Sequence, residues 1–78
     1  MRELLEIVAK ALVSNPDAVT VNEVEGDTTL LLELKVASED MGKVIGRQGR
    51  IARAIRTVVR SASARGSRRV MVEIMENP

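Results

Sequence analysis

The chain has 78 residues, 45% of them apolar and 29% charged, which is the balance of one small globular domain rather than of a disordered segment. It contains no Cys, His, Phe, Trp or Tyr, which excludes disulfides, thiolate metal sites, histidine general bases and the stacking of bases on aromatic rings. The net charge is only +1, but residues 1–40 carry −6, residues 41–72 carry +9 and residues 73–78 carry −2, which excludes a uniform polycation and indicates one face suited to polyanions.

The first predicted element is an amphipathic helix over residues 3–13, where apolar residues recur at helical spacing. Pro16 ends it, because proline disfavours helical geometry in the residue before it. Glu3 and Glu6 interrupt the apolar run, so this segment lacks the continuous apolar core of a secretory signal. No apolar run is long enough to cross a bilayer. We therefore expect a cytoplasmic protein that does not contact membranes.

Two strands are predicted next, over residues 18–25 and 28–36, with a tight turn at Gly26-Asp27 between them. Val19 and Val21 alternate with polar residues in the first strand. The second strand places four apolar side chains on one face: Leu30, Leu32, Leu34 and Val36. This alternation is typical of strands that bury one face only.

The rest of the chain predicts two helices and a final strand. Ser38 is the expected N-cap of a short helix that glycines at 46 and 49 interrupt, and a longer helix follows over residues 50–64. A strand over residues 68–75 completes the order helix, strand, strand, helix, helix, strand. We expect an α+β fold in which residues 1–78 form a single domain. Its three-stranded mixed sheet has three helices packed on one face, and a helical crossover joins the two parallel strands.

A glycine-rich loop joins the two central helices. Glycines at 42, 46 and 49 fit neither the dinucleotide fingerprint nor the P-loop. Gly46-Arg47-Gln48-Gly49 is instead a tight two-glycine turn between the apolar pair Val44-Ile45 and a helix that opens at Arg50. Glycine permits close approach of a ligand, and N–H groups at a helix start favour phosphate. A helix C-cap followed by an ordinary turn is the structural alternative.

The run from Gly42 to Arg50 resembles the signature of the KH (K-homology) family, a Gly-x-x-Gly loop with a basic residue in its middle that clamps the backbone of about four nucleotides. The order of elements is similar to the bacterial, type II arrangement, over essentially the whole chain. Ala52 departs from the pattern, since many KH domains carry Ile or Leu there. The resemblance and the adjacent charges imply an RNA-binding site of ten residues: Lys43, Val44, Ile45, Gly46, Arg47, Gln48, Gly49, Arg50, Ile51 and Arg53.

Four arginines lie on one side of the helix over residues 50–64 at about 100° per residue: Arg50, Arg53, Arg56 and Arg60. No acidic residue of this helix lies within one turn of them. One hypothesis is that they attract phosphate, with an affinity that falls as salt rises. The alternative is a solvated face that pairs with acids from the N-terminal half.

The leading functional hypothesis is an RNA chaperone or post-transcriptional regulator that binds short single-stranded RNA, with single-stranded DNA as a substrate variant. A site this small binds weakly alone, and the resemblance implies a homodimer or a heterodimer with a larger KH-containing RNA-binding protein. The alternative is a protein–protein adaptor on a KH scaffold with little RNA binding. We expect no enzyme, cofactor or metal site, because the acids form no evident cluster.

Overall fold

The computed structural model describes residues 1–63, 66 and 68–77. Short 3₁₀ turns precede β1, α2 and α3. The helices and strands are α1 (Arg2–Leu12), β1 (Thr20–Glu25), β2 (Thr29–Ala37), α2 (Met41–Ile45), α3 (Arg50–Ala62) and β3 (Arg69–Asn77). This order confirms the predicted α+β arrangement.

The three strands form one mixed sheet in the order β1-β2-β3. β1 and β2 form an antiparallel hairpin in which Val21 lies opposite Leu34. β2 and β3 are parallel, with Leu32 opposite Val72, as the helical crossover between them allows. The central strand therefore holds a hairpin partner on one side and a crossover partner on the other.

The core lies between this sheet and one layer of helices. Inward-facing strand residues meet the apolar faces of α1, α2 and α3, which confirms that the helices cover one face. The core comprises Leu5, Ala9, Val19, Val21, Leu32, Leu34, Val36, Val44, Ile55, Val59, Val70 and Val72. Because Val44 and Ile55 belong to it, the two helices that flank the glycine loop are anchored on the sheet.

The opposite face of the sheet is covered by none of the described helices. Leu31, an apolar residue on this face of β2, pairs with Val24 of β1 and Met71 of β3. Val24 is 46% exposed and Met71 36% exposed, so the row is apolar but open. Its neighbours along the strands are polar, including Asn22, whose amide donates to the Glu33 carboxylate at 3.0 Å.

Some element boundaries differ from expectation for identifiable reasons. β1 begins at Thr20 because Pro16–Ala18 forms a 3₁₀ turn, in which the Val19 N–H donates to the Pro16 carbonyl at 3.1 Å. The prediction that Ser38 caps a helix is wrong, since Ser38 opens the 3₁₀ turn Ser38–Asp40 and its side chain makes no cap. The expected end of the long helix at residue 64 lies outside the described residues. No helix in the described ranges combines the length and apolar character needed to span a bilayer.

Candidate nucleic-acid interface

The loop between α2 and α3 turns through three residues with positive φ. Gly46 has φ 76° and ψ 173°, Gln48 has φ 57° and Gly49 has φ 74°. The Gly46 N–H donates to the Gly42 carbonyl at 2.9 Å, and the Gly49 N–H donates to the Gly46 carbonyl at 3.2 Å. The loop is thus a hydrogen-bonded turn with a defined shape, built on backbone conformations that favour glycine.

The two loop glycines are required for different reasons. A Cβ on Gly46 would lie 2.6 Å from Cγ1 of Ile51, so the side chain of α3 occupies the space that any larger residue would need. A Cβ on Gly49 would meet nothing within 4 Å, and only its left-handed backbone favours glycine. Gly46 therefore packs the loop against α3, while Gly49 provides the turn into that helix.

The tip of the loop presents two exposed polar side chains, Arg47 and Gln48. Behind them, the Nη2 atom of Arg53 donates to the Gln48 carbonyl at 3.2 Å and holds the turn against the helix. The N-cap of α3 is Gly49, which has no side chain to cap the helix. The first-turn N–H groups thus lack a side-chain acceptor, and the positive end of the helix dipole lies beside Arg47.

The arginines of α3 do not pair with acids in the described part of the chain. No ion pair joins Arg50, Arg53, Arg56 or Arg60 to a described carboxylate. Arg56 is half-buried, and its Nε donates to the Val72 carbonyl of the edge strand β3 at 3.3 Å. The described residues therefore do not support the alternative of a neutralised face.

Asp40 and Lys43 form a polar cluster at the start of α2, in which Asp40 is buried and the Lys43 side chain is exposed. Asp40 is fully buried, and its two carboxylate oxygens each accept a backbone N–H at 3.0 Å, from Ser14 and from Asn15. The Lys43 ammonium lies 3.2 Å from Oδ1 of Asp40 and donates to the Ser14 hydroxyl. Lys43, predicted to contact RNA, thus has an intramolecular partner in this structure.

These contacts lower the pKa of Asp40. The Ser14 N–H is the largest cause, the Asn15 N–H and Lys43 act in the same direction, and burial opposes them. Because the pKa is lower in the folded state than in the unfolded state, the carboxylate stabilises the fold above its ordinary value of about 3.9. That stabilisation is lost as the pH falls through the lowered value.

The apolar residues of the predicted site differ in exposure. Val44 is fully buried, Ile45 is 37% exposed and Ile51 is partly buried. Ala52, the departure from the KH pattern, is 4% exposed. An apolar groove runs between α1 and α3, lined by Val8, Leu12, Arg50, Ile51, Ala54, Ile55 and Val58. Ile51 thus lies both under the loop and in this groove.

The sequence of this chain matches a known protein family over most of its length. The profile of the family described as KhpA/KhpB, KH domain, matches residues 2–74. The chain belongs to this KH-domain family. It is 61% identical over 75 residues to the RNA-binding protein KhpA of Caldanaerobacter subterraneus, covering 96% of this chain and all of the relative. The RNA-binding protein KhpA of Aquifex aeolicus is 46% identical over 76 residues, covering 97% of this chain and 96% of the relative.

A solved structure shares the fold of this KH domain. It is the crystal structure of Era in complex with MgGDPNP and nucleotides 1506–1542 of 16S ribosomal RNA, which superposes with a TM-score of 0.64 at 22% identity. The match covers 96% of this chain and 29% of the Era chain. The KH fold is therefore confirmed by sequence and by structure.

Two features of this KH domain were missed from the sequence. In the sequence, Asp40 resembles an ordinary acid in the first turn of a helix. Only Lys43, three residues later, indicates locally that its carboxylate could form an ion pair. Its other partners lie 25 and 26 residues away in the sequence. The bond from Arg56 to the Val72 carbonyl spans 16 residues and has no local sign.

Proposed function

We propose that this KH-domain protein binds short single-stranded RNA through the loop Gly46–Gly49 and the first turns of α3. The observation that carries the proposal is the exposed pair Arg47 and Gln48, held on a shaped backbone beside an uncapped helix start. The curated relatives are named RNA-binding proteins, which supports the same ligand class. Binding rather than catalysis is the role proposed.

The phosphate backbone is the part of RNA that this site recognises. Arg47 and Arg50 supply charge on either side of Gly49, and the positive end of the α3 dipole favours an anion placed there. Ile45 and Ile51 offer apolar contact to bases in place of aromatic stacking, through dispersion and exclusion of water. Because no group here is matched to one base edge, sequence selectivity is low.

Charge reversal at the loop tip tests the proposal. Arg47→Glu will weaken binding of a labelled, mixed-sequence single-stranded RNA by about tenfold or more, because it puts an anion beside the phosphate backbone. Lys35→Glu, on the sheet face away from the helices, makes the same change in net charge and will alter affinity by less than about twofold. Fluorescence polarisation at two salt concentrations measures both, after circular dichroism confirms folding.

The slope of log affinity against log salt separates local from general charge effects. Loss of one phosphate contact with a single strand lowers the magnitude of this slope by about 0.7. Arg47→Glu will reduce the slope by at least that amount, and Lys35→Glu will leave it unchanged. Equal binding by wild type and Arg47→Glu would make the loop structural, and no binding by wild type would favour the protein–protein adaptor.

We also propose that the protein acts in the cytoplasm as an RNA chaperone or post-transcriptional regulator, paired with a second KH chain. One small site gives weak affinity, and linking two such sites raises it without any new contact. The family description, which groups KhpA with KhpB, supports such pairing. Sedimentation velocity at rising concentration will show a species of twice the 8.5 kDa chain mass. A monomer at all concentrations would leave the larger KH protein as the partner.

A further inference from the structure

We propose that Asp40 is a positioning residue for the RNA-binding loop. This inference rests on the proposed function and concerns how the loop is held. Asp40 occupies the N-cap position of α2, yet its carboxylate makes no cap to that helix. It turns instead to the segment after α1, where it accepts the N–H groups of Ser14 and Asn15. A buried charge used in this way ties two separate segments together.

The helix that Asp40 begins cannot hold its own orientation. α2 has five residues, which is far below the length at which an isolated helix is stable, about 12 to 15 residues. Its position therefore depends on tertiary contacts. Val44 and Met41 pack in and against the core, and the ion pair of Lys43 with the Asp40 carboxylate adds a polar contact to the segment after α1.

The orientation of α2 determines the position of the first loop residue, because the two are directly hydrogen-bonded. The Gly46 N–H donates to the Gly42 carbonyl, so the first residue of the loop is hydrogen-bonded to the second residue of α2. Ser14 and Asn15, which donate to the Asp40 carboxylate, follow α1, and α1 is anchored in the core by the fully buried Leu5 and Ala9. A change at Asp40 thus reaches Gly46 through α2, without any contact between Asp40 and RNA.

The loss of charge in Asp40→Asn and the loss of loop positioning would change RNA affinity in opposite directions, which makes the proposal testable. Asp40→Asn removes a negative charge, and charge alone predicts tighter RNA binding. The variant also removes an acceptor that Ser14 or Asn15 uses, and it leaves Lys43 without its ionic partner. Positioning therefore predicts weaker binding, although the protein becomes more basic. A role in stability alone predicts unchanged affinity for every folded molecule.

The experiment compares Asp40→Asn with Asp27→Asn, which makes the same charge change at an exposed residue of the hairpin turn. Polarisation titrations use the mixed-sequence single-stranded RNA at a temperature where circular dichroism shows both variants fully folded. Asp40→Asn will bind at least about threefold more weakly than wild type, a free-energy change of about 0.65 kcal/mol. Its salt slope will be unchanged because Asp40 contacts no phosphate. Asp27→Asn will bind as wild type or slightly more tightly.

A second measurement covers partial unfolding of Asp40→Asn. Sucrose, which is excluded from protein surfaces and favours the compact state, is added to all samples until the spectra agree. Affinity equal to or tighter than wild type then overturns the positioning role. If wild type binds RNA and Arg47→Glu does not, an unchanged or tighter affinity of Asp40→Asn removes only the Asp40 proposal. If Arg47→Glu binds as wild type, the loop itself is not the site and both proposals fall.

Discussion

Gly46→Ala will lower the free energy of unfolding by about 3 kcal/mol, while Gly49→Ala will lower it by only about 1 kcal/mol. At Gly46 two costs add. The backbone at φ 76° and ψ 173° belongs to a region that only glycine adopts readily, and the new Cβ would overlap Cγ1 of Ile51 at 2.6 Å. At Gly49 the space is empty and only the left-handed backbone is unfavourable.

Urea denaturation followed by circular dichroism measures this difference between two glycines of one loop. RNA affinity adds a second comparison, because displacement of Ile51 would move the start of α3 and the N–H groups beside Arg47. Similar losses of stability for the two variants would contradict the packing of Gly46 against Ile51. A much larger loss at Gly49 would place the steric constraint at the other end of the loop.

Leu5→Ala will lower the free energy of unfolding by about 3 kcal/mol, and Ile7→Ala in the same helix will change it by no more than about 0.5 kcal/mol. Leu5 is fully buried in the core between α1 and the sheet, so truncation leaves a cavity. Ile7 is 67% exposed, and its removal creates none. For a chain of 78 residues the first loss is a large fraction of total stability.

Leu5 and Ile7 have similar side-chain volumes and both lie in the middle of α1, so the effects of the two substitutions on helix propensity nearly cancel. Thermal and urea unfolding of both variants will give the comparison, with wild type as reference. An Ile7→Ala loss as large as that of Leu5→Ala would show that Ile7 is covered in solution, for example by a second copy of the chain. Equal and small losses would contradict the docking of α1 through Leu5.

Much of this fold was predictable because its signals are local. Leu32, Leu34 and Val36 alternate with polar residues, and a strand with one buried face must show that period. The crossover between β2 and β3 follows from two helices placed between two strands. The position of the loop was predictable too, since two glycines three residues apart interrupt a helical pattern and permit the positive-φ turn seen between α2 and α3.

The remainder depends on contacts between distant segments. Ser38 has the chemistry of an N-cap, but the chain enters a 3₁₀ turn there and its hydroxyl caps nothing. Asp40 looks like a surface acid until α1 and β2 are assembled, when its carboxylate reaches the N–H groups of Ser14 and Asn15. Tertiary structure decides such assignments, and propensity cannot anticipate them.

The parallel pairing of β2 with β3 also fixes when the sheet and the core can be completed during synthesis. Thr29 pairs with Arg69 and Ala37 with Asn77, so each contact spans forty residues. A ribosome has finished α2, the loop and α3 before it makes the strand that supplies Val70 and Val72 to their shared core. Non-local pairing of this kind is slow to form. A nascent chain that stops before β3 therefore carries the complete loop sequence but lacks Val70 and Val72, and the apolar residues they cover stay open to chaperones and proteases.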